Sequence, residues 1–143
     1  MSAMTAPTAE MVSERHAAAL RAALVLLDRV GDAAVFYLTF HAPYPDQPPA
    51  ANAMVCARGG RGETTGPDTD AVRLADLRAA VAAANATFTE FHEYDDRASI
   101  TARVVIDGVE IDLWAPLEDL EDRETIAAAR VLVPAAEPTG AAA

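Results

Sequence analysis

The dipeptide Asp107-Gly108 stands between two runs of alternating apolar and polar residues, and no other feature restricts this chain's folding so tightly. Asp-Gly supplies the two positive-φ residues of a type I′ turn, so Ser99–Ile106 and Val109–Ala115 read as the arms of a β-hairpin. A two-residue turn also fixes the register. Ile106 then faces Val109, Val104 faces Ile111, and Ala102 faces Leu113, giving one continuous apolar face. On the other face Val105 meets Glu110, Arg103 meets Asp112, and Thr101 meets Trp114. Opposite charges directly across a ladder are mildly favourable, which agrees with that pairing.

The rest of the chain is read outward from the hairpin. A helix is expected from near Thr8 or Ser13 to Val30, with Leu20, Leu24, Leu27 and Val30 as its apolar stripe and Gly31 as its stop. Asp32 to His41 alternates with apolar residues on both sides, as in a central strand covered on both faces. Four prolines between Pro43 and Pro49 exclude regular structure over 42–52. Ala53 to Ala57 reads as a short strand and Arg58 to Thr69 as a glycine-rich loop. Asp68, Thr69 or Asp70 caps a second helix that reaches Asn85, with Val72, Leu74, Leu77 and Val81 on its apolar side. Thr87 to Tyr94 adds a strand that turns at Asp95-Asp96. Glu118 to Val131 reads as a last helix on Leu120, Ile126, Ala127 and Val131. The expected fold class is α+β in the order α-β-β-α-β-β-β-α, an antiparallel sheet of about 4–5 strands with helices on one face. Residues 1–7 and 134–143 are rich in Ala, Pro and Thr and read as tails of one domain over 8–133.

Charge narrows the functional classes. The net charge is −11, and all eleven basic residues are arginine. From Glu90 to Glu124 twelve Asp or Glu stand against Arg97, Arg103 and Arg123, so this stretch carries nine of the eleven net negative charges. Such a field repels phosphate backbones and argues against direct nucleic-acid binding, while it attracts basic partners. A single cysteine, Cys56, excludes a disulfide framework or a thiolate zinc site, and it reads as a packed, inert thiol. No signal sequence and no membrane-spanning run stand out, so a cytoplasmic location is the expectation.

The chemistry-bearing motifs are weak. Arg58 to Gly66 lies between a strand and a helix, but a phosphate loop needs a lysine and this chain has none. His92-Glu93-Tyr94-Asp95-Asp96 gathers oxygen and nitrogen groups, yet in a strand His92 and Glu93 point to opposite faces. His41 and Cys56 on neighbouring strands are a conceivable dyad, and with Tyr37 they would line the pocket that an enzyme or ligand-binding domain requires. No cofactor and no metal is expected. The leading expectation is a non-enzymatic module that binds a basic protein. Its candidate site residues are Trp114, Asp112, Glu110, Glu118, Asp119, Glu121 and Asp122. Alternatives are a DNA mimic, whose carboxylates would form one exposed band, and a small enzyme. A homodimer is left open.

The Ala/Leu/Arg helix over Ala17 to Val30 and the hairpin over Ile100 to Trp114 resemble small proteins of high-GC actinobacteria and their phages. Size, acidity and α/β order are also similar to secretion-type chaperones, small acidic dimers that hold a partner chain. Two strands rather than three between the first two helices depart from that pattern. The first resemblance implies no activity, and the second implies a role in holding a partner chain.

Overall fold

The computed structural model describes residues 9–41, 49–56 and 69–134. The expected N-terminal tail, nearly all of the C-terminal one, most of the proline-rich segment and almost the whole glycine-rich loop lie outside these residues. The described elements are α1 (Ala9–Val30), a 3-10 turn (Gly31–Ala33), β1 (Phe36–His41), β2 (Ala50–Val55), α2 (Asp70–Ala84), β3 (Thr87–Glu93), β4 (Ala98–Ile106), β5 (Val109–Leu117) and α3 (Arg123–Arg130). The fold is α+β in the expected element order.

The hairpin of β4 and β5 forms the centre. Asp107 and Gly108 adopt φ of 51° and 79°, as a type I′ turn requires. All six cross-strand pairs deduced from that turn occur, and the ladder runs on to Ala98 opposite Leu117. The sheet order is β1-β2-β5-β4-β3. Its wholly antiparallel character needs one correction, because β2 runs parallel to β5. The chain crosses from β2 to β5 through α2, β3 and β4, and that long connection is what permits a parallel pair.

The core lies on one face of this sheet. Ile100, Ile111, Leu113 and Leu117 are fully buried there, beneath Leu26 of α1, Leu77 of α2, and Ile126 and Ala129 of α3. Thr69 caps α2 by accepting from the Val72 amide at 3.2 Å, and Asn85 ends it in the left-handed conformation at φ 60°.

Four local expectations are corrected. Leu20, Leu24 and Leu27 are exposed, and Ala19, Ala22, Ala23, Leu26 and Val30 form the buried stripe of α1. Two stripes one residue apart satisfy the same helical period, and the one that meets the sheet is the alanine-rich one. β1 is an edge strand, not a central one, with Val35 and Tyr37 exposed. It starts after the 3-10 turn, and β2 starts at Ala50, just after Pro49, where a missing amide costs a strand least. Finally, β5 runs on through Pro116 to Leu117, and α3 begins only at Arg123, capped by Asp122, whose carboxylate accepts from the Thr125 amide at 3.2 Å. Thr125, Ile126 and Ala129 are its buried side, whereas Val131 is exposed.

Candidate functional site

All three helices pack on one face of the sheet, and among the described residues no helix packs on the other. Strand alternation places two cross-strand rows on that open face. One row reads Tyr37, Met54, Trp114, Thr101, Glu90 from β1 to β3, and the next reads Thr39, Asn52, Asp112, Arg103, Thr87. Trp114, the chain's single tryptophan, is therefore at the middle of the sheet on the side that carries no described helix. It is half-buried among its row neighbours, and its indole N–H donates to Asn52 Oδ1 at 2.5 Å. That bond satisfies the one polar atom of the ring and holds the indole at a fixed orientation.

Beside the indole is a shallow cleft of about 260 Å³, lined by Asn52, Glu90, His92, Thr101, Asp112 and Trp114, with Ser99 and Tyr94 at its end. The His92 and Tyr94 rings contact each other at 4.2 Å, and Arg97 lies 5.2 Å from the Tyr94 ring. Asp112 and Glu110 flank Arg103, whose Nε donates to Asp112 Oδ1 at 2.8 Å while its NH1 is 3.6 Å from Glu110 Oε1. The hydrogen bond to Asp112, followed by the fields of Asp112, Glu110 and Glu90, pushes the Arg103 guanidinium further up from its already high value. Two carboxylates thus share one guanidinium with Glu90 in the same field, and these four groups keep a negative balance.

The structure separates the expected acidic cluster into two. Trp114, Asp112 and Glu110 are together on the open face. Glu118, Asp119, Glu121 and Asp122 belong to the β5–α3 connection, which is tied to the start of α2 in the helical layer. The tie is Asp70, whose Oδ1 accepts from the Glu118 amide at 2.9 Å and whose Oδ2 accepts from the Asp119 amide at 2.8 Å. Arg73 binds Asp70 Oδ1 at 2.6 Å and donates to the Pro116 carbonyl at 3.2 Å. Asp119 and Asp122 are themselves engaged in this loop, the first accepting from the Glu121 amide at 3.0 Å and the second capping α3. These carboxylates build the connection, and Glu118, though exposed, adds an ion pair to Arg73 at 3.5 Å; Glu121 is exposed. The buried Asp70–Arg73 pair has an i, i+3 spacing in the sequence, but Asp70 there looks like any other capping residue. Nothing local shows that it reaches β5. Glu90 and Asn52 were likewise legible only once their strands had a register.

The remaining constellations come apart. The β1–β2 register sets His41 opposite Ala50 and Phe36 opposite Val55, so His41 and Cys56 are at opposite ends of that ribbon. At about 3.3 Å per residue they are roughly 20 Å apart, too far for proton transfer. Burial pushes the Cys56 thiol above its ordinary value, and its Sγ contacts the Met54 carbonyl at 3.7 Å. His92 and Glu93 do face opposite ways: His92 borders the cleft, and Glu93 accepts from Arg130 of α3 at 2.7 Å. Among the described residues no three His, Cys, Asp or Glu side chains gather as a metal-binding group. No described helix is long and apolar enough to cross a membrane. No known protein family matches this chain, and neither a curated protein nor a solved structure is significantly similar to it.

Proposed function

We propose that this protein is a non-enzymatic binding module that takes up a basic segment of another protein on the open face of its sheet, with Trp114 as the anchor. The observation that carries the reading is the position of the only tryptophan. It is fixed by Asn52 on the face without a helix, in a cleft bordered by Glu90 and Asp112. A rigid aromatic amid carboxylates suits a guanidinium or ammonium group, which gains from the ring face and from the charges together. Division of the acidic stretch between the open face and the α2-anchored loop favours a protein partner over a nucleic-acid mimic, which needs one continuous array.

Trp114 is its own reporter. Titration with an arginine-rich peptide is expected to change the Trp114 emission, with an affinity that falls as salt rises. A glutamate-rich peptide of equal length is expected to leave the emission unchanged. By calorimetry, Trp114→Ala is expected to weaken binding by more than about 1 kcal/mol. Charge reversal at Glu110 and Asp112 is expected mainly to slow association. Equal binding of both peptides, or an affinity indifferent to salt and to Trp114→Ala, would refute the reading.

A further inference from the structure

α1 carries three of its four leucines outward. Leu20, Leu24 and Leu27 are 53%, 61% and 38% exposed, while the neighbouring alanines are buried. With Ala17 they follow a 3-4-3 spacing, the seam of a helix that packs against another helix. At one end of the seam His16, Ala17 and Leu20 border an apolar groove of about 490 Å³ together with Phe40 of β1.

β1 is also an edge of the sheet, and among the described residues it shows none of the usual protection. Its residues Phe36 to His41 include no Asp, Glu, Arg or Pro, and its ladder with β2 has no bulge. The opposite edge, β3, shows the usual protection: Glu90 and Glu93 lie in it, its register shifts between Phe88 and Glu90, and Arg130 of α3 pairs with Glu93. Sheets normally guard free edges in this way, so a bare edge beside a leucine seam marks a surface that another chain covers.

Charge selects the occupant. Among the described side chains of α1, Glu14 and Asp28 stand against Arg15, Arg21 and Arg29, in a protein of net charge −11. Local charge on α1 is nearly balanced, so this is where two acidic copies repel least, whereas a strongly basic partner is drawn to the carboxylates of the open face. Exposed Arg21 and Asp28 lie about one turn either side of Leu24. In an antiparallel pair of α1 helices, Arg21 of one copy stands beside Asp28 of the other, which is the self-complementarity a two-fold interface requires.

We infer that a second copy of this chain docks on the α1 leucine seam and the β1 edge, related by a two-fold axis beside β1. That axis sets β1 antiparallel to its copy and seam against seam. Both parts are needed: Ala17 to Leu27 extends only about 16 Å and is about 10 Å wide, well short of the roughly 800 Å² per partner of a stable complex. This interface is independent of the Trp114 face.

The test is sedimentation and light scattering of the full chain from about 1 to 100 μM, a range that brackets typical dimer affinities. The expected particle has twice the 15.0 kDa of one chain. Leu24→Glu is expected to give the single-chain mass with an unchanged circular dichroism spectrum. Arg21→Asp, an exposed change that spares the fold, is expected to weaken the dimer at least about tenfold, and adding Asp28→Arg is expected to restore it. A single-chain mass at every concentration would overturn the inference. So would a dimer indifferent to Leu24→Glu and to the charge exchange, or an assembly that keeps growing with concentration instead of closing at two.

Discussion

The two faces of the β4–β5 hairpin divide eighteen strand positions between them, and their chemistry differs. On the helical face Ile100, Ile111, Leu113 and Leu117 have no exposure at all. On the open face Arg103 and Asp112 keep 47% and 32% of their side chains exposed, and Trp114 is half-buried without a covering helix. The first face holds the molecule together through the apolar area it removes from water. The second contributes little to stability, because its ion pairs are hydrated, and it therefore tolerates residues chosen for another purpose. The proposed function gives a tryptophan in such a place, fixed by a side-chain hydrogen bond, a role in recognition rather than in folding.

The comparison predicts a steep difference in mutational cost. Leu113→Ala removes a fully buried side chain between the helical layer and the middle of the sheet, and is expected to destabilise by about 2–5 kcal/mol. Chemical denaturation read by far-UV circular dichroism checks this, and a loss below about 1 kcal/mol would show that the helical layer is loosely packed. Gly108→Val, in the turn that joins the two faces, is expected to cost about 1–3 kcal/mol. Apart from the turn's own adjoining residues, no atom lies within 4 Å of the position where its Cβ would be, so this loss comes from the positive φ of 79°. Gly108→Asn, which accepts that conformation more readily, should recover much of it. Equal melting of the Val and Asn variants would disprove the strain.

The hairpin was legible in the sequence because three local signals coincide in it: turn chemistry, alternation, and charges set across the ladder. The helical layer was less so. The choice between Leu20, Leu24, Leu27 and the Ala19, Ala22, Leu26 stripe depends on how closely α1 meets the sheet, and helical periodicity does not report a distance. The neighbours of β1 were hidden for a similar reason. Alternating apolar residues read the same in a central strand and in an edge strand with one exposed face. At the candidate site, the shared face of Trp114, Asp112 and Glu110 followed from the turn alone. The addition of Glu90 and Asn52, and the removal of Asp119 and Asp122 to the Asp70 anchor, required contacts across long sequence separations.

The smallest expected effect is the sharpest test of the division between the faces. Asp112 hydrogen-bonds Arg103 at 2.8 Å and is the strongest influence on that guanidinium, so geometry alone would rank it among the important residues of the fold. Its exposure argues otherwise. Water screens the pair, and two long side chains lose freedom to form it, so an exposed pair of this kind contributes about 0–1 kcal/mol. Glu110 is also close to Arg103, at 3.6 Å, and compensates part of any loss. Asp112→Ala is therefore expected to lower stability by less than about 1 kcal/mol in denaturant unfolding, with an unchanged slope. The same variant is expected to weaken uptake of an arginine-rich peptide, because it removes a carboxylate from the rim of the Trp114 cleft. A large stability loss with unaltered peptide binding would reverse the assignment: the open face would then be a structural surface, and its carboxylates would serve the sheet and not a partner.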